Sequence, residues 1–302
     1  MPHAADPLNK QSTRIGIIGL GLMGSRLAER LHSAGWKVKA WNRSPEAAQA
    51  IGRTGIPIAS SLSELVSDSD VILSSLANDE AVRAVYLDED GVLSIAKPGT
   101  IVLEMSTISP ELSFEMHRMA RERGQHALDV AISGSTPAVE AGTITLLAGG
   151  HCTTFEQCVP LFESIAKQWF FIGPGSSGIR MKLVVNLLLG VGMQAIAEAV
   201  SLGERLEIEE PVLLDVLSKT AVIAPAFLGK FQKIRSGDYS PEFPLRLMSK
   251  DLNLALEADH SLKTRLPAAT AAQQSFAEAA PLDGDLDVSA VVPLVAGHPI
   301  RA

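Results

Sequence analysis

Arg14-Ile15-Gly16-Ile17-Ile18-Gly19-Leu20-Gly21-Leu22-Met23-Gly24 is the stretch whose reading decides the fold. It opens on a short apolar, β-rich run, the composition of a buried strand. Gly19, Gly21 and Gly24 then fall in the order G-x-G-x-x-G. Leu22, Leu27, Ala28 and Leu31 follow on one helical face, with Gly35 as a stop. Strand, glycines and helix in that order form a dinucleotide-binding fingerprint. The first glycine permits the tight turn, the second lets backbone N–H groups approach a pyrophosphate, and the third lets helix and strand pack closely. The helix N-terminus adds partial positive charge. Gly19, Leu20, Gly21, Leu22, Met23 and Gly24 are the first candidate cofactor contacts. The alternative is a tight turn with no ligand.

The next strand reads Lys37 to Trp41, and Asn42-Arg43-Ser44-Pro45 follows it. An NAD site usually carries an acid there, for the ribose 2′-OH. Here Asn42, Arg43 and Ser44 present an amide, a guanidinium and a hydroxyl, which suit a 2′-phosphate. NADP(H) is the expected cofactor. The competing reading makes Arg43 a solvated charge and lets both cofactors bind.

Strand and helix keep alternating. Ser61 to Val66 starts like a capped helix, and Asp70 to Leu76 reads as a parallel-type strand. Its end places Leu76 and Ala77 toward the cofactor, because ligands sit outside the carboxyl ends of such strands. Asp79 to Tyr86 reads as a helix and Thr100 to Glu104 as a strand. Ser106 and Thr107 stand at that strand's end, and Ser109-Pro110 caps the helix beyond. Ala127 to Ile132 is a further strand leading into Ser133-Gly134-Ser135-Thr136. Hydroxyls and backbone N–H groups together there make a seat for a carboxylate, or else an ordinary turn. A strand from Ile144 to Ala148 follows, and Trp169 to Ile172 closes the sheet.

Gly173-Pro174-Gly175 breaks the chain before a long apolar helix. On it Lys182, Asn186, Gln194 and Glu198 share one stripe. The length would permit a bilayer span, but four polar residues with Gly190 and Gly192 point to a buried helix between domains or subunits. Lys182, placed in its first turn, is either catalytic or a salt-bridged structural lysine. Beyond Ser177 strand patterns vanish, and Pro211 to Ser218, Phe227 to Ile234, Leu247 to His260 and Ala268 to Ala280 read as helices. The expected fold is therefore α/β: a Rossmann-type, mostly parallel sheet domain over 14–175, then an all-α domain over 176–302, joined by the long helix. Residues 1–13 read as a flexible leader. Lys250-Asp251 reads as a solvated helix start.

With 302 residues and 46% hydrophobic content the chain can bury a large core, and a net charge of −8 argues against nucleic-acid binding. Cys152 and Cys158 offer no disulfide framework and fit a reducing, cytoplasmic setting. No metal site is expected. His32, His117, His126, His151, His260 and His298 form no triad-like order and read as surface or core residues.

Together these motifs resemble the β-hydroxyacid dehydrogenases, which include 3-hydroxyisobutyrate dehydrogenase and tartronate semialdehyde reductase. The resemblance runs from Arg14 to about Pro293. It rests on Gly19 to Gly24, Met105 to Pro110, Ser133-Gly134 with Ala141-Gly142-Thr143, Gly178-x-x-x-Lys182-x-x-x-Asn186, and Lys250-Asp251-Leu252. Trp41-Asn42-Arg43, Ser133 to Ser135, Pro225 to Phe227, Phe243 to Leu245 and Gly284 to Val291 narrow it to the glyoxylate and succinic semialdehyde reductase branch. The resemblance implies that Lys182 is the catalytic lysine with Asn186 beside it, and that Ser133, Gly134 and Ser135 bind substrate. It implies cofactor contacts at Thr107 and Lys250, and positions near the active site for Phe243 and Asp251. It also implies a homodimer or homotetramer. Asp129 to Ile132 lacks the proline usual in the family, and Ser135 replaces a glycine common in other branches. Other aldehyde or hydroxy acids, a cyclic imine, or a non-catalytic binding role are the alternatives.

Overall fold

The structure is a computed structural model that describes residues 6–262 and 264–298, without the side chains of residues 259–262. The side chain of His260 and residues 1–5 of the expected leader thus lie outside the described residues. The chain forms two compact units, Met1–Lys182 and Leu183–Ala302. The division falls inside the long helix rather than before it.

In the first unit the order is β1 (Arg14–Ile18), α1 (Leu22–Ser33), β2 (Lys37–Trp41), α2 (Pro45–Gly52), α3 (Leu62–Ser67), β3 (Val71–Ser74), α4 (Asp79–Tyr86) and α5 (Val92–Ile95). Then come β4 (Ile101–Glu104), α6 (Pro110–Glu122), β5 (His126–Ser133), α7 (Thr136–Ala141), β6 (Ile144–Gly150), α8 (Cys152–Ile165) and β7 (Ala166–Gly173). The strands make one seven-stranded sheet in the order β2-β1-β3-β4-β5-β6-β7. All neighbours run parallel except β5 and β6. Strands β3 and β4 are buried at every position, as a sheet covered on both faces requires. Ile15, Ile17, Leu27, Leu31, Leu73, Leu103 and Phe162 belong to its core.

Caps set several helix starts. Ser61 accepts from Glu64 N at α3, and Ser109 accepts from Leu112 N at α6. Residues 6–13 depart from the expected leader: Leu8 packs on the core and its N–H donates to Gln157 O at 3.0 Å.

Helix α9 (Ser177–Arg205) begins in the first unit and continues through the second, followed by α10 (Glu210–Lys219), α11 (Leu228–Ser236), α12 (Leu245–Leu262), α13 (Pro267–Asp283) and α14 (Val291–Ala296). Met193, Ile196, Ala197 and Val200 of α9 pack in one core with Leu214, Phe231, Met248, Leu252 and Phe276. The helix is long and apolar enough to cross a membrane by length and composition, yet Asn186 and Gln194 are buried on it. Gly190 has a packing reason: a Cβ there would stand 2.8 Å from Leu252 Cδ2. The helix is not buried all round, since Val184, Leu188 and Leu202 are exposed.

Candidate active site

The glycine turn joins β1 to α1. Gly19 has φ +87, and a Cβ there would press on Leu76 Cδ2 at 2.9 Å. Gly24 lies against the Gly19 carbonyl, so neither tolerates a side chain. Gly21 differs: its backbone is extended and a Cβ there would meet nothing within 4 Å. The protein alone does not need that glycine; a ligand backed against the turn would. Gly21 is also the N-cap of α1, with no side-chain cap and no acid in the first turn. The α1 N–H groups are thus available to an anion.

Asn42 serves the turn directly: Oδ1 accepts from Leu20 N at 2.9 Å, and Nδ2 donates to Ser44 O at 3.1 Å. Arg43 and Ser44 are exposed beside it, with no acid among residues 42–44. The segment fits a nicotinamide dinucleotide.

Leu76, half-buried, and Ala77, exposed, leave β3 next to this turn. A buried carboxylate that the sequence reading missed ties their strand to the next. Glu104 accepts from Ser74 Oγ and, at 2.8 Å, from Ser106 N. Tyr86 OH donates to Ser74 Oγ at 2.6 Å, and Ser106 Oγ accepts from Leu76 N at 2.7 Å. Burial pushes the Glu104 carboxyl up to about 7. Ser106 is therefore scaffold, and Thr107 follows it half-buried at the strand end.

Ser133 ends β5, opposite Thr145 of β6. Gly134 has φ +150, a conformation other residues rarely adopt. Ser135 begins α7 without capping it, so its hydroxyl is not spent there. The segment is the start of a short helix rather than a plain turn. Lys182, half-buried, lies in the second turn of α9 rather than the first.

In the second unit Asn186, one turn along α9 from Lys182, is 1% exposed. Its Nδ2 donates to Asp251 Oδ2 at 2.5 Å, and Lys250 Nζ stands 2.8 Å from Asp251 Oδ1. This corrects the reading of Lys250-Asp251 as a solvated start: α12 begins at Leu245, the pair lies in its second turn, and Asp251 is 1% exposed. Asn186 Oδ1 is buried with no hydrogen-bond partner among the described residues. An acceptor left so costs about 1–3 kcal/mol, which a donor arriving there would recover. Phe243 is half-buried in the helical core, and its N–H donates to Asp287 Oδ2 at 3.1 Å. Asp287, fully buried, also pairs with Lys230 Nζ at 2.9 Å. Burial alone would raise its pKa, but the Lys230 ammonium and Ser289 hold it below the ordinary value. Two histidines read as plain surface or core residues have acid partners: His117 with Asp129 and His298 with Glu204, both at 2.9 Å.

Residues 14–173 match the NAD binding domain of 6-phosphogluconate dehydrogenase. Residues 176–295 match the family described as NAD-binding of NADP-dependent 3-hydroxyisobutyrate dehydrogenase. The chain is 32% identical over 282 residues to glyoxylate/succinic semialdehyde reductase 1 of Arabidopsis thaliana, covering 93% of this chain and 98% of that one. It is 36% identical over 261 residues to the NAD-dependent L-serine dehydrogenase of Pseudomonas aeruginosa, covering 84% of this chain and 88% of that one. The crystal structure of a 3-hydroxyisobutyrate dehydrogenase from Salmonella typhimurium shares its fold at a TM-score of 0.85 and 29% identity, covering 94% of this chain and 100% of that one.

Fold and family matches thus define a nicotinamide-dependent oxidoreductase. The chain belongs to the β-hydroxyacid dehydrogenase family, whose members act on hydroxy acids.

Proposed function

We propose that this protein is an NADPH-dependent reductase of small aldehyde acids, glyoxylate and succinic semialdehyde among them, with Lys182 as proton donor. The observation that carries the reading is Lys182 on a helix whose start packs against the strand that ends in Ser133-Gly134-Ser135. Likeness to the Arabidopsis reductase supports the substrate class. Exposed Arg43 and the missing acid after β2 support NADPH.

A bound nicotinamide supplies the hydride. The hydroxyls and N–H groups at 133–135 hold the substrate carboxylate and so orient the carbonyl. As negative charge grows on the carbonyl oxygen, the Lys182 ammonium stabilises it and donates the proton that completes the alcohol. Asn186 steadies the lysine or binds the same oxygen, Asp251 holds Asn186 and Lys250, and Phe243 bounds the substrate. Leu76, Ala77, Thr107 and Lys250 contact the cofactor.

The proposal includes a homodimer or homotetramer, for which exposed Val184, Leu188 and Leu202 on α9 speak. It also includes a cytoplasmic location, which the two free cysteines fit.

The test is loss of NADPH absorbance with glyoxylate and with succinic semialdehyde, beside NADH. Lys182→Ala should lower kcat by roughly 10²–10⁴-fold while NADPH still binds. Arg43→Ala should raise the KM for NADPH about 10-fold or more and leave that for NADH nearly unchanged. Bound NADPH without aldehyde turnover would redirect the reading to hydroxy-acid oxidation or cyclic imines.

A further inference from the structure

Helix α9 does not cap itself. Ser176 is its N-cap residue, since Arg180 N donates to Ser176 O at 3.2 Å. A capping serine would ordinarily take the N–H of the third helical residue. Here Ser176 Oγ is buried without a hydrogen-bond partner among the described residues. That N–H, Ile179 N, donates instead to Asp129 Oδ2 at 2.6 Å, across 50 residues of chain. Asp129 is 3% exposed, in the middle of β5. Its other oxygen lies 2.9 Å from His117 Nε2, on α6.

The backbones meet at the same place. A Cβ on Gly178 would stand 2.5 Å from Leu147 O and 2.6 Å from Asp129 O. A Cβ on Gly149 would stand 2.5 Å from Asp129 Oδ1 and 2.6 Å from Gly178 N. The first turn of α9 therefore rests directly on β5 and β6, with no side chain between to act as a cushion. A carboxylate at a helix N-terminus also gains from the helix dipole.

Four residues along β5 from Asp129, on the same strand face, is Ser133. Three residues along α9 from Ile179 is Lys182. We infer that Asp129 is a positioning residue for the reaction: it fixes Lys182 relative to the 133–135 segment, and His117 holds its second oxygen. This rests on the proposed role of Lys182. A displacement of about 1 Å between proton donor and carbonyl can cost on the order of 100-fold in rate, so a cap shared by both elements bears on chemistry and not on stability alone.

Asp129→Ala and Asp129→Asn test it in the full-length protein. The asparagine keeps an acceptor for Ile179 N and removes the charge. It is also the variant to rely on if the alanine does not fold. Three quantities are read: amide hydrogen exchange at residues 177–182, the acylation rate of Lys182 by an amine-specific reagent followed by mass spectrometry, and kcat beside the NADPH dissociation constant. In Asp129→Ala, exchange at Ile179 should rise at least about 100-fold while β1, β3 and β4 stay protected. Lys182 acylation should change at least about fivefold relative to the other lysines, kcat should fall about 100-fold, and NADPH affinity should stay within about threefold. Asp129→Asn should move all three in the same direction by less, about 10-fold in exchange at Ile179 and in kcat and about twofold in Lys182 acylation.

Unchanged exchange at Ile179, or lost protection with unchanged Lys182 acylation and kcat, overturns the inference. So does a fall in kcat matched by an equal loss of NADPH affinity, which would mark a general disturbance. If the wild-type protein reduces no aldehyde, the proposed function fails by itself; exchange and acylation still decide whether Asp129 sets the place of Lys182.

Discussion

Between Gly19 and Gly24 the chain offers backbone N–H groups and no obstructing side chain; around Asp251 it offers side chains brought together from positions 65 residues apart. The turn is made largely by local sterics, with Asn42 reaching in from the end of β2 to hold Leu20 N. The cluster is made by tertiary packing, and each member depends on the others to remain satisfied. A site of the first kind tolerates change or fails one glycine at a time. A site of the second kind fails as a unit.

The largest expected effect lies on the cluster side. Asp251→Ala leaves Asn186 with both ends of its amide unsatisfied and takes the counter-charge from Lys250. Breaking a buried charged pair typically costs about 3–5 kcal/mol, so thermal unfolding should move down by roughly 10 °C, with turnover lost. A variant that melts within a degree or two of the wild type would place Asp251 outside the support of this cluster.

A pair of glycine substitutions sharpens the contrast within the turn. Gly24→Ala drives a methyl into the Gly19 carbonyl and should lower both stability and cofactor affinity. Gly21→Ala meets nothing in the protein, so its melting temperature should stay within about 2 °C. Its nucleotide affinity should nevertheless fall by about 10-fold or more, because the added methyl stands where the pyrophosphate approaches. Equal affinity in wild type and Gly21→Ala, by fluorescence titration with NADPH, would take the dinucleotide away from this turn.

The smallest effect is one of pH. Burial holds the Glu104 carboxyl at about 7, above its ordinary 4.5. The folded state thus keeps a proton that the unfolded chain releases in that interval. This contribution is fully present below about 4.5 and is lost as pH rises through about 7, a span worth about 3 kcal/mol at most. Glu104→Gln has no such proton to lose. Its melting temperature relative to wild type should climb between pH 5 and 8, and a flat difference would show that Glu104 does not titrate there.

What the sequence made legible follows the same line. The glycine turn, the strand ends at Leu76 and Thr107, and the caps Ser61 and Ser109 obey rules that act within a few residues. The first core strands and the switch to helices beyond Ser177 follow from apolar patterning. Helices α2, α5 and α7 were not read, because spans such as Val92–Ile95 and Thr136–Ala141 show little periodicity. Helix α8 holds Pro160 in its interior, which reads as a break. Asp129, Glu104 and Asp287 gave no signal, since the partners that tie them to other elements lie 12 to 57 residues away with no fixed spacing. The start of α12 was placed too late, and the same error made a buried Asp251 look solvated.

Helix α9 also sets where this gene can change length. Lys182 and Asn186 point the same way only because four residues make about one turn. One codon inserted between them would turn Asn186 by about 100° relative to Lys182, and one inserted between Asn186 and Gly190 would set the bond of Asn186 to Asp251 against the seat of Gly190 on Leu252. A deletion would do the same in the opposite sense. Lineages descended from this sequence should therefore gain and lose residues in the exposed link at 206–209, and keep the count from Ser177 to Gly203 constant even where the letters drift.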